Sequence, residues 1–303
     1  MVSRPQRDLV EIFGYSPDDL TSEARALWAL NASPFTNTHC IKTNHDNSIV
    51  YGTCSVTTSY GDCVICPNRF YENGYEVLRR ISKTAFGGDI GFLLYGEFVS
   101  QRKTVADCVV ALGQNSGKEV KVGRQLSMDW VLAKIQDNKL VEYVGVEVQS
   151  IDITGNYRDA WYAYKNLLPS SKSTPQSEHG LNWANVHKRL IPQIIRKGRV
   201  YEKSKYVNKG LYFIVPDIVY RKFEEIVGED IPLLGEDEVT SGVLTIHTYD
   251  LSGGVAHGMQ RGLIANREIH ISLDEFSSRF IGGPNLPSGS ELDTAVQRIL
   301  GIS

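Results

Sequence analysis

Apolar residues recur at Leu20, Ala24, Leu27 and Leu30, the spacing that lines one face of a helix. Just ahead of them, Ser16 can cap, Pro17 suits the first turn, and Asp18 and Asp19 complement the positive end of a helix, so one is predicted here. Helical spacing returns at Tyr75, Leu78, Ile81 and Ser82 and again over Phe98 to Leu112, the two separated by Gly87 and Gly88. From Glu119 to Ile153 the period shortens towards two, which predicts strands at 120–122, 126–135 and 141–151. Asp137-Asn138-Lys139 supplies a turn between the last two, so they should pair as an antiparallel hairpin. Beyond Pro169 comes a polar loop, SSKSTPQSEHG, then a helical pattern over 183–195, a strand running into a helix at KGLYFIVPDIVY (209–220), and a short amphipathic helix in ELDTAVQRILGIS. Helix, strand meander, then helix and strand predict a mixed α/β (α+β) fold around one sheet.

The strand over 141–151 interleaves polar side chains with its valines. Glu147 and Gln149 share one face while Val144, Val146 and Val148 take the other. Upstream, Asp129 interrupts another apolar run, and pairing of the two strands brings it near Glu147. Two carboxylates in one place repel each other unless one is protonated or a cation lies between them. Mg²⁺ takes hard oxygen ligands of this kind, leaves positions for phosphate and water, and can activate that water for attack on a phosphodiester.

Four of the five cysteines, Cys40, Cys54, Cys63 and Cys66, fall in a polar segment of about 31–68, ending in a Cys-x-x-Cys knuckle. Paired thiolates at that spacing converge on tetrahedral zinc or iron, and two more complete a four-sulfur site. A redox dithiol at Cys63 and Cys66 would leave Cys40 and Cys54 idle. Cys108 stands alone on a predicted helix face and reads as core.

Composition narrows the class. An apolar content of 42%, a charged content of 22% and a net charge of −3 describe an ordinary globular chain. No run approaches the ~18–20 apolar residues of a membrane helix, and the start lacks the apolar core of a signal peptide, so a cytoplasmic protein with no membrane partner is expected. The small net charge leaves room for a local basic surface. Residues 187–209 carry Lys188, Arg189, Arg196, Lys197, Arg199, Lys203, Lys205 and Lys209 against Glu202 alone, the density expected of phosphate contacts. Residues 224–238 hold seven acids and no Lys or Arg, so they should face away from DNA. Arg158, Arg261 and Arg267, with the Gly-rich run SGGVAHGMQRG at 252–262, are candidates for reading guanine edges.

Asp129, a hairpin, then Glu147-Val148-Gln149 resembles the PD-(D/E)xK nuclease core, with Met128 where the motif has Pro and Gln149 where it has Lys. A four-cysteine module ahead of such a core resembles the NotI-type type II restriction endonucleases, their shorter EagI subgroup most closely. The resemblance implies a central mixed sheet flanked by helices, an N-terminal helix and four-cysteine metal-binding module over 1–72, and a nuclease core with DNA-contacting and dimerisation elements over 73–303. It implies Asp129 and Glu147 as Mg²⁺ ligands, Gln149 in the lysine position, and Cys40, Cys54, Cys63 and Cys66 around a structural iron (or zinc) ion. Glu119, in SGKEVKV, is the candidate for an additional catalytic acid, with Asp152 and Asp159 as further nearby acids. The implied reaction is Mg²⁺-dependent hydrolysis of both strands of a GC-rich palindrome in double-stranded DNA, CGGCCG for that subgroup, by a homodimer in a bacterial cytoplasm. Two other readings remain: a noncatalytic DNA-binding protein with a zinc-ribbon-like module, and a PD-(D/E)xK repair nuclease.

Overall fold

The computed structural model describes residues 7–88, 90–123, 126–166, 177–284 and 286–301. Most of the loop expected from 170 onwards therefore lies outside the described residues. Seven strands build the central sheet: β1 (Phe92–Leu94), β2 (Cys108–Gly113), β3 (Trp130–Gln136), β4 (Lys139–Val148), β5 (Leu211–Pro216), β6 (Val243–Leu251) and β7 (Leu263–Ser272). They lie side by side in chain order. Pairs β1/β2, β4/β5 and β5/β6 are parallel, and β2/β3, β3/β4 and β6/β7 antiparallel, so the fold is mixed α/β.

The predicted hairpin is β3/β4, turning at Asp137 and Asn138 with φ of 50° and 59°, the left-handed values that a two-residue hairpin turn demands and that Asp and Asn tolerate. Strand β5 runs into the helix Asp217–Val227, as the pattern at 209–220 predicts.

Several elements differ from expectation. The helix predicted over Phe98 to Leu112 is a short helix, Tyr95–Gln101, followed by β2. The run CVVALG is apolar on both faces and rich in β-branched residues, so its spacing carries no period; burial on both sides of the sheet decides for a strand. Cys108 is thus a strand residue, fully buried. The first helix starts at Ser22, after a bend held by Asp19, which accepts from the Thr21 N–H and hydroxyl at 2.9 and 2.7 Å. The strand expected over 126–135 is two elements: Leu126–Met128 pairs with Val120–Val122 in a separate ribbon, and β3 begins only at Trp130. Asp129 occupies the break.

A small sheet of Leu9–Ile12, Thr53–Thr58 and Gly61–Val64 carries the cysteine segment. Ile12 and Val56 of this sheet, with Phe13, Ile65 and Phe70 beside it, are buried in the same two apolar clusters as the central sheet, and the fully buried Arg69 pairs with buried Glu11 at 3.1 Å. The helices Glu72–Phe86 and Ile191–Glu202 complete the core. Among the described residues no helix is long and apolar enough to cross a membrane.

Candidate active site

Trp130, the first residue of β3, stands opposite Val146 of β4, which brings Asp129 level with Glu147 and Val148. Each carboxylate then bonds the other strand. The Asp129 N–H donates to Glu147 Oε1 at 3.3 Å, and the Val148 N–H donates to Asp129 Oδ2 at 3.0 Å. The Gln149 amide donates to the same Asp129 oxygen at 3.4 Å.

Glu147 is on the face of β4 covered by the helix Ile191–Glu202, opposite the valine face. From that helix Lys197 donates to Glu147 Oε2, and its Nζ stands 3.7 Å from Asp129 Oδ1. The Glu147 side chain is 2% exposed and that of Asp129 30%, so one carboxylate forms a buried floor and the other meets solvent. Burial, reinforced by the Asp129 charge, pushes the Glu147 carboxyl up to about 8 against the pull of Lys197. Tyr201, one turn further on, is buried with its hydroxyl unpartnered among the described residues, and burial, then Glu147, holds its phenol well above the usual range. A Cβ on Gly145 would stand 2.1 Å from the Tyr201 ring; glycine there lets the helix approach closely enough to deliver Lys197.

Beside the carboxylates opens a polar cleft of about 170 Å³, whose walls include Lys42, Gln149, Asp152, Arg189 and Gln193. Lys42 comes from the cysteine segment and is held by a 3.0 Å bond to the Ile65 carbonyl.

Mg²⁺ commonly uses one or two carboxylates and fills its other positions with water and substrate phosphate. Asp129 Oδ1 and Glu147 Oε2, which face a cationic ammonium, fit that chemistry. Among the described residues no three of His, Cys, Asp or Glu are arranged to hold a metal ion. Glu119 accordingly does not join the pair; it bonds Ser127 and stands 3.1 Å from Lys121 on the ribbon. Asp152, on the cleft wall, accepts from Asn185 at 2.7 Å, and Asp159 pairs with Arg158 at 3.5 Å.

The four cysteines are buried thiols. After the larger effect of burial, Cys66 raises the thiol pKa of Cys40 and Cys54, and Cys40 that of Cys54. Cys63 instead feels Asp250 and Asp62. Ile12, Phe13, Val56 and Ile65 share an apolar cluster with Cys40 and Cys63, so the segment holds more core than its composition suggested.

Within the basic stretch, Lys188, Arg189 and Arg196 are exposed, but Arg199 is engaged by Glu202 and Asp274, and Lys197 is buried at the carboxylates rather than free for DNA. Its place was legible: Ile191, Ile194, Gly198 and Tyr201 mark the buried face of the helix, and Lys197 falls on it. Of the suggested base readers, Arg261 is bound to the Ser252 carbonyl and Asp62, and Arg267 to Asp217 and Glu224.

The family model for restriction endonuclease NotI matches residues 32–227, a span holding the four cysteines, Asp129, Glu147 and Lys197. No curated protein matches the chain.

Proposed function

The chain belongs to the restriction endonuclease NotI family and is a site-specific deoxyribonuclease, and on that premise we propose that it cleaves double-stranded DNA by Mg²⁺-dependent hydrolysis at Asp129 and Glu147. The observation that carries this reading is the convergence of these two carboxylates, one buried and one half-exposed, at the side of a cleft containing Arg189 and Lys42. In this reading the two acids serve as those of a PD-(D/E)xK core, with Gln149 in the third position. Mg²⁺ bound at the pair would offset charge developing on the phosphodiester and favour ionisation of the attacking water. Asp129 holds negative charge that attracts the ion, Glu147 would add its own on giving up its proton, and the backbone bonds that the two accept tie their strands together. Gln149 keeps an amide at the cleft wall, where it can orient that water. Lys188, Arg189 and Arg196 present cations to the phosphate backbone.

In this reading residues 73–303 are the nuclease core and residues 1–72 a module that carries Lys42 to the cleft. The cysteines as they stand do not fit a four-thiolate ligand set, and no role is derived from iron or zinc there. A two-fold homodimer places one such site on each strand of a palindrome; CGGCCG is the expected sequence if the chain falls with the EagI subgroup, acting in the bacterial cytoplasm. The test is digestion of a long viral DNA with Mg²⁺, with EDTA, and with Asp129→Ala. Discrete fragments that need Mg²⁺ and vanish in the variant are expected, and their ends report the recognition sequence. Intact DNA bound equally by both proteins would sink the catalytic assignment.

A further inference from the structure

Each carboxylate of the pair has one oxygen committed to backbone. Glu147 Oε1 accepts from the Asp129 N–H, and Asp129 Oδ2 accepts from the Val148 N–H and the Gln149 amide. The remaining oxygens, Glu147 Oε2 and Asp129 Oδ1, face one group, the Lys197 ammonium. A divalent cation held by both carboxylates on this side would compete with Lys197 for its place. Two cations cannot share it, because their repulsion at such a separation is strong in a site this buried.

We propose that Lys197 is a built-in competitor of the catalytic cation. It neutralises Asp129 and Glu147 while the site is empty of metal, and it is released into the cleft when a divalent ion takes the same two oxygens. The inference rests on the nuclease reading above. Without a counter-ion the buried Glu147 beside Asp129 would be costly, and lysine is suited to a changeable partnership: a point charge on a flexible stem, with no fixed fork geometry. Its destination is marked on its own helix and on the helical turn Val186–Leu190 that leads into it. Gln193 and Arg189 precede Lys197 by one and two turns, and both line the cleft with Gln149. The released ammonium thus joins a stripe that faces the proposed phosphate path, on a site whose strand offers a neutral Gln149 instead of a cation.

The test uses the full chain without DNA. Ca²⁺, an oxygen-seeking ion, is titrated calorimetrically into wild type, Asp129→Ala and Lys197→Met. Lys197→Met should bind Ca²⁺ about tenfold more tightly than wild type, a coupling in the ordinary range for mutually exclusive ligands, while Asp129→Ala should bind it more weakly. In wild type, Lys197 should react slowly with an amine-acylating reagent in EDTA and several-fold faster with Ca²⁺, as read by mass spectrometry of the peptide. This second measurement decides if Lys197→Met fails to fold. Unchanged or weaker Ca²⁺ binding by a folded Lys197→Met, or acylation of Lys197 that does not rise with Ca²⁺, overturns the inference. If wild type still binds Ca²⁺ through Asp129 in that event, the nuclease reading survives. Wild type that binds no Ca²⁺, together with Asp129→Ala that still cuts DNA, removes both.

Discussion

Asp129 and Glu147 hold each other's strands: one carboxylate accepts from the N–H of its partner residue, the other from the N–H just after it. The acids are thus fixed by the same bonds that close the end of the hairpin. Glu147→Ala removes one of those acceptors and leaves the Lys197 ammonium buried without its nearest partner. Breaking a buried pair in this way costs about 3–5 kcal/mol. Glu147→Ala with Lys197→Met should regain a large part of that loss, and neither variant should cut DNA. Urea unfolding of wild type, both single variants and the double variant gives the coupling directly; equal stability of Glu147→Ala and the double variant would show that Lys197 is not stranded by the loss.

Gly145 admits the Tyr201 ring, which a Cβ would meet at 2.1 Å. Gly145→Ala should therefore push the helix Ile191–Glu202 off the sheet, cost about 1–3 kcal/mol as overpacking does, and lower cleavage by moving Lys197. Gly96→Ala is the control, since the nearest neighbour of its Cβ is 3.8 Å away. Matching thermal shifts for the two variants would remove Gly145 from the account of how the site is built.

The hairpin was legible because Asp137-Asn138 and the alternation on either side agree on one structure, and so was strand β5, because its helix follows at once. The run of β2 was not: Cys108 to Leu112 is apolar whichever way it is counted, and only the neighbouring strands give it direction. Asp129 and Glu147 could be named because acids inside apolar runs are conspicuous. Their separation could not, since it depends on the strand ladder breaking at Asp129, where the pattern predicts one strand over 126–135. Lys197 was counted with a basic stretch, where composition outweighed its place on the apolar face of the helix.

Arg189 and Arg261 separate a DNA contact from a structural pin. Arg189 is exposed on the cleft wall, so Arg189→Ala should weaken binding to all duplexes alike and reduce the slope of log affinity against log salt by about 1. Arg261 joins the Ser252 carbonyl to Asp62 at 2.7 Å, so Arg261→Ala should lower the melting temperature and leave the salt slope unchanged. Fluorescence anisotropy at several salt concentrations distinguishes them. A change of salt slope in Arg261→Ala instead of Arg189→Ala would reverse the assignment.

Cys63 stands apart from the other three thiols in the charges that act on it, and it is buried beside Val56. Cys63→Ala should behave as a core truncation, costing about 1–2 kcal/mol, with the iron and zinc content of the purified protein unchanged from wild type. Elemental analysis by plasma mass spectrometry reads this directly. A stoichiometric loss of either metal on Cys63→Ala would restore the four-thiolate site.

His247 gives the fold a pH dependence separate from that of the carboxylates at the site. The ring is 3% exposed, and burial, then His270 and Arg80, pull its pKa down to about 4. In the unfolded chain it titrates near 6.5, so between these values the unfolded state binds the extra proton. The contribution is fully present above about pH 6.5 and is lost as pH falls towards 4, where it amounts to up to about 3 kcal/mol. His247→Gln carries no proton in either state, so the stability difference between wild type and variant should move against wild type over that window. Urea midpoints at pH 7, 6, 5 and 4 measure it. A difference that stays constant with pH would mean that His247 takes up its proton as readily in the folded protein as in the unfolded chain, with Glu268, 3.7 Å away, as the partner that offsets burial.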